Sequence, residues 1–235
     1  MSWWMLAMLA YPETQKRAQA EIDAVVGRSR IPTFADQAHL PYIRAMVKES
    51  LRWRPVGPVG MPHYTIEDDW YQGMFIPKDT VIIPNVWHLN RNTETYGADA
   101  EHFNPARYLD DKENKLAPGP ADAKEEGHFT YGFGRRICIG RHVANNSLFL
   151  NIATILWAMN IERETDEKGN VVPLDVDGCV DHGLVVYVSD LILNLWRASS
   201  VLHFFRGPMP FQCKVTPRFP DAVSILELER ENTGY

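Results

Sequence analysis

Residues 141–161 constrain the fold more than any other part of the chain, because apolar side chains surround them on nearly every side when they are placed on a helix. The apolar positions are Val143, Leu148, Phe149, Leu150, Ile152, Ile155, Leu156 and Trp157. A helix with no continuous polar face has to be buried. The sequence therefore predicts a buried helix at 141–161, against which the remainder of the chain packs.

The overall composition is that of a globular protein. The chain has 235 residues, of which 45% are hydrophobic and 23% are charged. Its formal net charge is −6 and it has no basic stripe, so we expect no nucleic-acid partner. Cys138, Cys179 and Cys213 lie far apart without Cys-x-x-Cys spacing, which predicts neither a disulfide framework nor a zinc ribbon and favours a reducing compartment.

The chain begins with an apolar run from Trp3 to Tyr11. This run is too short to span a bilayer, and it has neither the positive charge nor the cleavage site of a signal peptide. It starts inside a helical pattern with no cap before it. We therefore expect that a further N-terminal part belongs before this sequence.

Two helices and a β-rich stretch can be predicted from local signals. Pro12 and Pro41 each precede an apolar stripe with helical spacing; Gly27 ends the first helix, and prolines from Pro55 onward end the second. Residues 61–84 predict short strands, with Gly73 in a turn. The polar stretch from Ala117 to Gly127 predicts a mobile surface loop.

The residues with the clearest chemical character precede the apolar helix, at 129–140. This stretch has three glycines: two allow backbone conformations that other residues avoid, and Gly140 is expected to let the helix start close to whatever lies beneath the cysteine. Cys138 falls at the expected helix N-terminus, where the helix dipole favours the thiolate, and Arg135 and Arg136 add positive charge. This combination indicates a metal ligand or a nucleophile.

Three interpretations of Cys138 are open at this point. A lone cysteine is often simply a small buried apolar residue. A cysteine nucleophile needs a base, for which His142 is four residues away, but no motif orients that histidine. A zinc site needs at least two more ligands, and none has suitable spacing.

The run from Tyr131 to Gly140 resembles the haem-binding loop of the cytochrome P-450 family. The family pattern is an aromatic residue, two residues, Gly, one residue, Arg, one residue, Cys, one residue, Gly. The matching positions are Tyr131, Gly134, Arg136, Cys138 and Gly140. Tyr131 stands where Phe is usual, and Ile139 stands where Pro or a small residue is common.

Two upstream motifs extend the resemblance in the expected order. Glu49 and Arg52 resemble the family's Glu-x-x-Arg, and residues 103–108 resemble its aromatic-x-Pro-x-Arg element, with Arg107 as the arginine. By resemblance, Glu49, Arg52 and Arg107 form a structural cluster. The alternative for the first two is an exposed i, i+3 pair worth less than about 0.5 kcal/mol. Trp87, His88 and Arg91 lie near the family's Trp-x-x-His-Arg but in an altered order, and we assign them no role.

The resemblance implies that the cofactor is haem b. The residues that it assigns to cofactor binding are Cys138, Arg136, His63, Tyr131, Gly134 and Gly140. Cys138 would be the axial thiolate of the haem iron, which favours O–O cleavage. Arg136 and His63 would each reach a haem propionate.

The implied fold is the C-terminal portion of the cytochrome P-450 fold, mainly α with small antiparallel β hairpins. We expect residues 1–235 to form a single partial domain, with 219–235 as a tail. The resemblance covers the C-terminal half of the family's length, so the distal residues that deliver protons are absent from this chain.

The implied activity is insertion of one oxygen atom from O2 into a small organic substrate, with electrons from an NADPH-dependent reductase. The motifs look most like those of fungal members in secondary metabolism. The full-length family lies on the cytosolic face of the endoplasmic reticulum, although this chain has no convincing anchor. The alternative is a truncated, non-catalytic remnant or an incomplete gene model that keeps the haem-binding signature.

Residues 187–206 interrupt the resemblance. In the family, a strand that begins Gly-Leu-Val is soon followed by a Pro-x-Pro-Phe-x-Cys strand, and here the two halves are residues 183–186 and 207–213. The segment between them is more apolar than a surface insertion should be. Codons for its two ends can contain an intron donor and acceptor, with the excised length in frame. We therefore expect 187–206 to be a translated, unspliced intron.

Overall fold

The structure is a computed structural model that describes residues 1–110, 112, 115–117, 123, 125–181 and 206–233. Most of its described core is helical. The α-helices are α1 (Ser2–Ala10), α2 (Pro12–Val25), α3 (Pro41–Trp53), α4 (Val86–Leu89), α5 (Thr93–Tyr96), α6 (Arg141–Ala158) and α7 (Ala222–Thr233). Short 3-10 helices cover Phe34–His39, Pro105–Tyr108 and Gly134–Arg136.

The described strands form four two-stranded antiparallel sheets. The strands are β1 (His63–Tyr64), β2 (Asp69–Tyr71), β3 (Met74–Ile76), β4 (Val81–Ile82), β5 (Met159–Arg163), β6 (Cys179–Asp181), β7 (Arg206–Pro208) and β8 (Cys213–Pro217). Their pairings are β1 with β4, β2 with β3, β5 with β8 and β6 with β7. This architecture confirms the prediction of a mainly α fold with small antiparallel hairpins.

The two helices predicted from proline are confirmed. Pro12 and Pro41 occupy the first turns of α2 and α3, and Gly27, with a φ of 73°, follows the end of α2. The N-terminus of α3 has a cap that its local sequence does not reveal. The Glu21 carboxylate, which belongs to α2, accepts hydrogen bonds from the Tyr42 and Ile43 backbone N–H groups at 2.8 and 3.0 Å.

Helices α1, α2, α3 and α6 enclose the main hydrophobic core. Its largest fully buried apolar side chains are Trp4, Leu6, Met8, Ile22, Leu40, Ile43, Met46, Trp53, Phe149 and Trp157. Burial of each such side chain contributes about 1.5–3 kcal/mol relative to exposure. The short helix α1 is held in place by this packing, because six of its nine residues are buried.

The expectation of a helix buried throughout 141–161 is wrong in two respects. The helix ends at Ala158, because the chain from Met159 onward is a strand paired with β8. The buried residues of this helix, which packs against α2 and α3, also begin only at Phe149. Near its start, His142 is exposed and Val143 is 72% exposed. Apolar composition alone does not reveal how far the neighbouring helices extend.

The expectation of a surface loop at 117–127 is wrong where the structure describes this stretch near its end. Ala123 and Glu126 are buried. Gly127 has a φ of 78°, and the Tyr96 and Tyr108 hydroxyls both donate to its carbonyl at 3.0 Å. These hydrogen bonds draw the segment into the protein. Residues 118–122 and 124 lie outside the described residues.

Two further regions bear on the domain organisation. The predicted tail at 219–235 contains α7, and Ala222 at its start is buried. Of the segment 187–206, only Arg206 lies within the described residues. Residues 183–186 lie outside the described residues as well. None of the helices in the described part of the chain is long and apolar enough to cross a bilayer.

Candidate functional site

Backbone turns shape the loop at 129–140, which we call the cysteine loop. Gly132 and Gly134 adopt φ values of 76° and 63°, and a Cβ at either position would meet nothing within 4 Å. Their backbone conformation, rather than lack of space, therefore favours glycine. The Cys138 N–H donates to the Tyr131 carbonyl at 2.8 Å, which closes the loop on itself.

Cys138 is exposed, which excludes its interpretation as a small buried apolar residue. Helix α6 begins three residues later, and the Arg141 N–H donates to the Cys138 carbonyl at 3.4 Å. A Cβ added to Gly140 would lie 3.7 Å from the Cys138 sulfur, at ordinary contact distance. No protein atom near Gly140 therefore forces glycine there, in contrast to the sequence expectation of a close approach.

The nucleophile and zinc interpretations find no geometric support. In the described part of the chain, no hydrogen bond links the Cys138 thiol to His142, so no base is positioned to activate it. The same residues contain no group of three or more His, Cys, Asp or Glu side chains that could share a metal ion. A protein-only metal centre at Cys138 would need at least that many ligands.

Charged and apolar side chains of the cysteine loop are also exposed. Arg135 and Arg136 belong to the 3-10 helix Gly134–Arg136, and neither forms an ion pair with the residues that the structure describes. Phe133 is 39% exposed and Ile139 is 93% exposed. The loop thus presents an exposed thiol, exposed cationic groups and exposed apolar groups, of which Phe133 also contacts the Phe129 ring edge to face at a centroid distance of 6.2 Å.

Tyr131 joins the cysteine loop to α6 through polar side chains. Its hydroxyl donates to Asn145 Oδ1 at 2.9 Å, and Asn145 Nδ2 donates to Glu126 Oε2 at 2.9 Å. Arg141 lies 3.3 Å from the other Glu126 oxygen. Burial, together with the nearby Glu126 and Cys138, raises the pKa of Tyr131, so its hydroxyl keeps the proton that it donates.

The structure brings Glu49 and Arg52 together inside the protein. Both side chains are 0% exposed and form two parallel hydrogen bonds of 2.7 Å. Arg52 uses its three remaining N–H groups on the carbonyls of Asn90, Ala100 and His102. All five guanidinium donors are therefore satisfied, and the alternative of an exposed pair is wrong.

Arg107 completes this group, which we call the Glu49 cluster. Its Nε lies 3.2 Å from Glu49 Oε1, and the Asn104 N–H donates to the same oxygen at 2.7 Å. Arg107 also pairs with Asp99 at 3.0 Å and donates to the Tyr96 carbonyl. Burial acts to lower the pKa of Arg52, but the contact with Glu49 outweighs it and raises that pKa overall.

No hydrogen bond or ion pair within the described residues joins the remaining residues singled out from the sequence to the cysteine loop. His63 is exposed on β1, opposite Ile82 of β4. Arg91 lies over the Trp87 ring, 3.3 Å from its centroid, and donates to the Trp53 carbonyl. Burial, followed by the charges of nearby arginines, lowers the pKa of Arg91 to about 10. These contacts are structural.

Two buried polar residues next to the site were missed from the sequence. Asn90 is fully buried and contacts the cysteine loop at Phe129 and Thr130. The available signal was its position, since Asn90 stands where Trp-x-x-His-Arg would place histidine after Trp87. His128 is fully buried as well, and burial followed by the charges of Lys48 and Arg52 lowers its pKa to about 3. No local pattern distinguishes His128.

Comparison with known proteins identifies the class to which this fold and loop belong. The family described as Cytochrome P450 matches residues 1–174, and the chain belongs to this family. A cytochrome P450 monooxygenase of Armillaria gallica is 65% identical over 235 residues, which are 100% of this chain and 41% of that protein. The cytochrome P450 monooxygenase iboC of Amanita muscaria is 41% identical over 98% of this chain and 46% of its own length.

A solved structure shows the same fold. A zebra fish cytochrome P450, in a structure with abiraterone, matches 93% of this chain and 44% of its own, with a TM-score of 0.70 and 26% identity. The expectation of a partial cytochrome P450 fold is confirmed. The chain spans about two fifths of the length of the curated relatives.

Proposed function

We propose that this chain provides the thiolate side of a haem site in a monooxygenase, with Cys138 as the axial ligand of haem b. The observation that carries the proposal is the exposed Cys138 thiol in a loop shaped by glycines, in a chain of the cytochrome P450 family. The cofactor type and the activity are part of the proposal.

The exposed groups of the cysteine loop fit the chemistry of haem. Haem presents an apolar ring, two carboxylates and an iron that takes a thiolate ligand in this family. The described residues leave a thiol at Cys138, cationic groups at Arg135 and Arg136, and apolar groups at Ile139 and Val143 exposed. Exposed apolar side chains gain from being covered, and the ring of haem would cover Ile139 and Val143.

Each of the residues assigned to cofactor binding has a distinct part in this proposal. The Cys138 thiolate would hold the iron and donate electron density to it. Arg136 would donate charge-assisted hydrogen bonds to one propionate, and His63 to the other. Tyr131, Gly134 and Gly140 would set the path of the loop. Haem, when bound, supplies the activation of O2 for transfer of one oxygen atom.

The partners follow from the same proposal. We propose an NADPH-dependent reductase as the electron donor, a small organic substrate, a place at the cytosolic face of the endoplasmic reticulum, and a role in fungal secondary metabolism. The support is the set of fungal relatives described as cytochrome P450 monooxygenases, including iboC of Amanita muscaria and claR of Ampulloclitocybe clavipes.

The absorption spectrum of the reduced carbon monoxide complex tests the ligand. We expect the red-shifted Soret band of thiolate ligation in the full chain loaded with haem, and its loss in Cys138→His. Cys179→Ser is the matched control, because Cys179 is also exposed but lies on β6. A band that persists in Cys138→His, or that vanishes in Cys179→Ser, would contradict the assignment.

A non-catalytic remnant is the second candidate, and one observation favours it. Ile139 and Val143 are 93% and 72% exposed, so the described residues do not enclose the surroundings of the thiol. We therefore expect no substrate turnover by this chain alone when reductase is added, even when haem is bound. Sustained product formation above that of Cys138→Ala would show the opposite.

A further inference from the structure

We infer that Asn90 is a positioning residue for Cys138, because its side chain fastens the start of the cysteine loop to the buried Glu49 cluster. The inference rests on the proposed function in so far as Cys138 is a haem ligand. Its structural part, the attachment of the loop, concerns the chain without haem as well.

Both the oxygen and the nitrogen of the Asn90 side-chain amide form hydrogen bonds with the cysteine loop. Its Oδ1 accepts a hydrogen bond from the Phe129 backbone N–H at 2.8 Å, and its Nδ2 donates to Thr130 Oγ1 at 3.0 Å. Asn90 is 0% exposed, so water cannot replace either contact without a change in structure. An aspartate could not donate and a leucine could do neither, so the amide is specifically required.

Thr130 extends the attachment to α3. Its hydroxyl accepts from Asn90 and donates to the Leu51 carbonyl at 2.6 Å, one residue before Arg52. The Thr130 N–H also donates to His128 Nδ1 at 3.3 Å. Both the backbone and the side chain of Thr130 are therefore held by buried groups.

The backbone carbonyl of Asn90 contacts the Glu49 cluster directly. Arg52 Nη1 donates to the Asn90 carbonyl at 2.7 Å, while the same guanidinium pairs with Glu49. The guanidinium position thus fixes the Asn90 backbone, and the Asn90 side chain fixes residues 129 and 130. This contiguous set of hydrogen bonds links an ion pair at 0% exposure to an exposed loop.

The place of the attachment explains why it affects Cys138. After Thr130 comes Tyr131, whose carbonyl accepts from the Cys138 N–H at 2.8 Å. The glycines at 132 and 134, with positive φ, lie between these two hydrogen-bonded residues. Because the glycines allow many conformations, the position of Cys138 depends on the fixed point that precedes them.

Substitutions at Asn90 and Thr130 test the inference in the full chain. Asn90→Leu leaves the Phe129 N–H unpaired, and Thr130→Val removes the hydroxyl with almost no change of shape. Thr130→Ser restores the hydroxyl. The matched control is Gln15→Leu, because buried Gln15 bridges the Ile161 N–H and carbonyl at 2.8 and 2.9 Å in the same manner, but between α2 and β5.

The first measurement is the ratio of red-shifted to unshifted Soret bands in the reduced carbon monoxide complex, per bound haem. We expect the ratio to fall about tenfold in Asn90→Leu and Thr130→Val, the scale set by one lost buried hydrogen bond. Thr130→Ser and Gln15→Leu should keep the wild-type ratio. Equal loss in Gln15→Leu, or wild-type behaviour in both Asn90→Leu and Thr130→Val, would overturn the inference.

The second measurement uses the haem-free chain and separates this inference from the proposed function. We expect amide hydrogen exchange at Phe129 and Cys138 to accelerate about tenfold in Thr130→Val but not in Thr130→Ser or Gln15→Leu. If wild type lacks the red-shifted band, the proposed ligation fails, and the exchange rates still decide the attachment. Unchanged exchange in Thr130→Val would reject it.

Discussion

The Glu49 cluster and the cysteine loop are both rich in arginine, but the charges are buried and paired in the cluster and exposed in the loop. Glu49, Arg52 and Arg107 are at most 8% exposed, and every donor of Arg52 has a protein acceptor. Arg135 and Arg136 are exposed and form no ion pair within the described residues. Burial of a charge is tolerable only when it is paired, so the cluster contributes to the scaffold.

The difference separates the residues that stabilise the fold from those available for binding. The guanidinium donors of Arg52 and Arg107 in the Glu49 cluster have no capacity left for a ligand. The Cys138 thiol and the Arg135 and Arg136 guanidinium groups of the cysteine loop are exposed and have no hydrogen-bond partner among the described residues. We therefore expect substitutions in the cluster to change stability, and substitutions in the loop to change haem binding.

The largest expected effect is loss of stability in Glu49→Gln. This change leaves Arg52 without a counter-charge in the interior and leaves Arg107 with Asp99 alone. It should cost about 3–5 kcal/mol in the free energy of unfolding. Arg136→Gln, which alters an exposed loop residue, should cost less than about 0.5 kcal/mol. Urea unfolding monitored by circular dichroism measures both. Similar costs for the two variants would remove the distinction between the regions.

A second, smaller effect concerns His128, which contacts Thr130 between the two regions. Burial, followed by the charges of Lys48 and Arg52, lowers its pKa in the folded chain to about 3, below the usual value of 6.5. As the pH falls from 6.5 towards 3, His128 becomes protonated in the unfolded chain but stays neutral in the folded chain. The free energy of unfolding therefore decreases. The loss should reach about 2 kcal/mol at pH 5.

Substitution of this histidine should remove that pH dependence. We expect His128→Gln to flatten the free energy of unfolding between pH 7 and pH 5, as measured by urea titrations at each pH. His63→Gln, at an exposed position, is the control and should keep the wild-type slope. A slope that is the same in all three proteins would show that His128 is not held neutral by the fold.

The smallest effect on the two regions is expected from deleting 187–206, the segment that we propose to be an unspliced intron. The deletion would join Val186 to Gly207 and retain the β6–β7 pairs Cys179↔Pro208 and Val180↔Gly207. It would remove the third pair of this sheet, Asp181↔Arg206, and the hydrogen bonds of the Arg206 backbone with Val56 and Trp3, which contribute about 1 kcal/mol each. We expect both regions to remain intact, with the carbon monoxide spectrum unchanged.

Unfolding and spectra of the deletion variant test the structural part of this hypothesis. A loss of stability well above the value for the contacts of Arg206 would show that the rest of the segment supports the fold. The genomic locus and its mature transcripts test the origin. If the splice signals are absent from the DNA, or if every mature transcript retains the segment, the hypothesis fails.

Local sequence signals predicted the elements but not the contacts between them. Pro12 and Pro41 marked helix starts because proline lacks the N–H that a first turn cannot use. Glu21, which caps α3 from another helix, has no local signature. The exposure of Val143 was missed for the same reason, since the apolar pattern of α6 does not reveal where its packing partners end.

In the Glu49 cluster and next to the cysteine loop, local sequence likewise predicted the residues but not their contacts with distant segments. The spacing of Glu49 and Arg52 allows a pair on one helix face, but their complete burial depends on carbonyls at 90, 100 and 102. Asn90 and His128 were missed because their roles arise from distant segments that meet only in the fold. The motif predicted Cys138, and the structure adds that its thiol is exposed.

Alkylation of the cysteines with and without haem tests the central claim most directly, namely that the cysteine loop presents Cys138 as the haem ligand. Mass spectrometry of the full chain after brief iodoacetamide treatment reports each cysteine separately. Cys138 and Cys179 are both exposed and should both react in the haem-free chain. We predict that haem protects Cys138 and leaves the rate at Cys179 unchanged. Equal rates at Cys138 with and without bound haem would contradict the account.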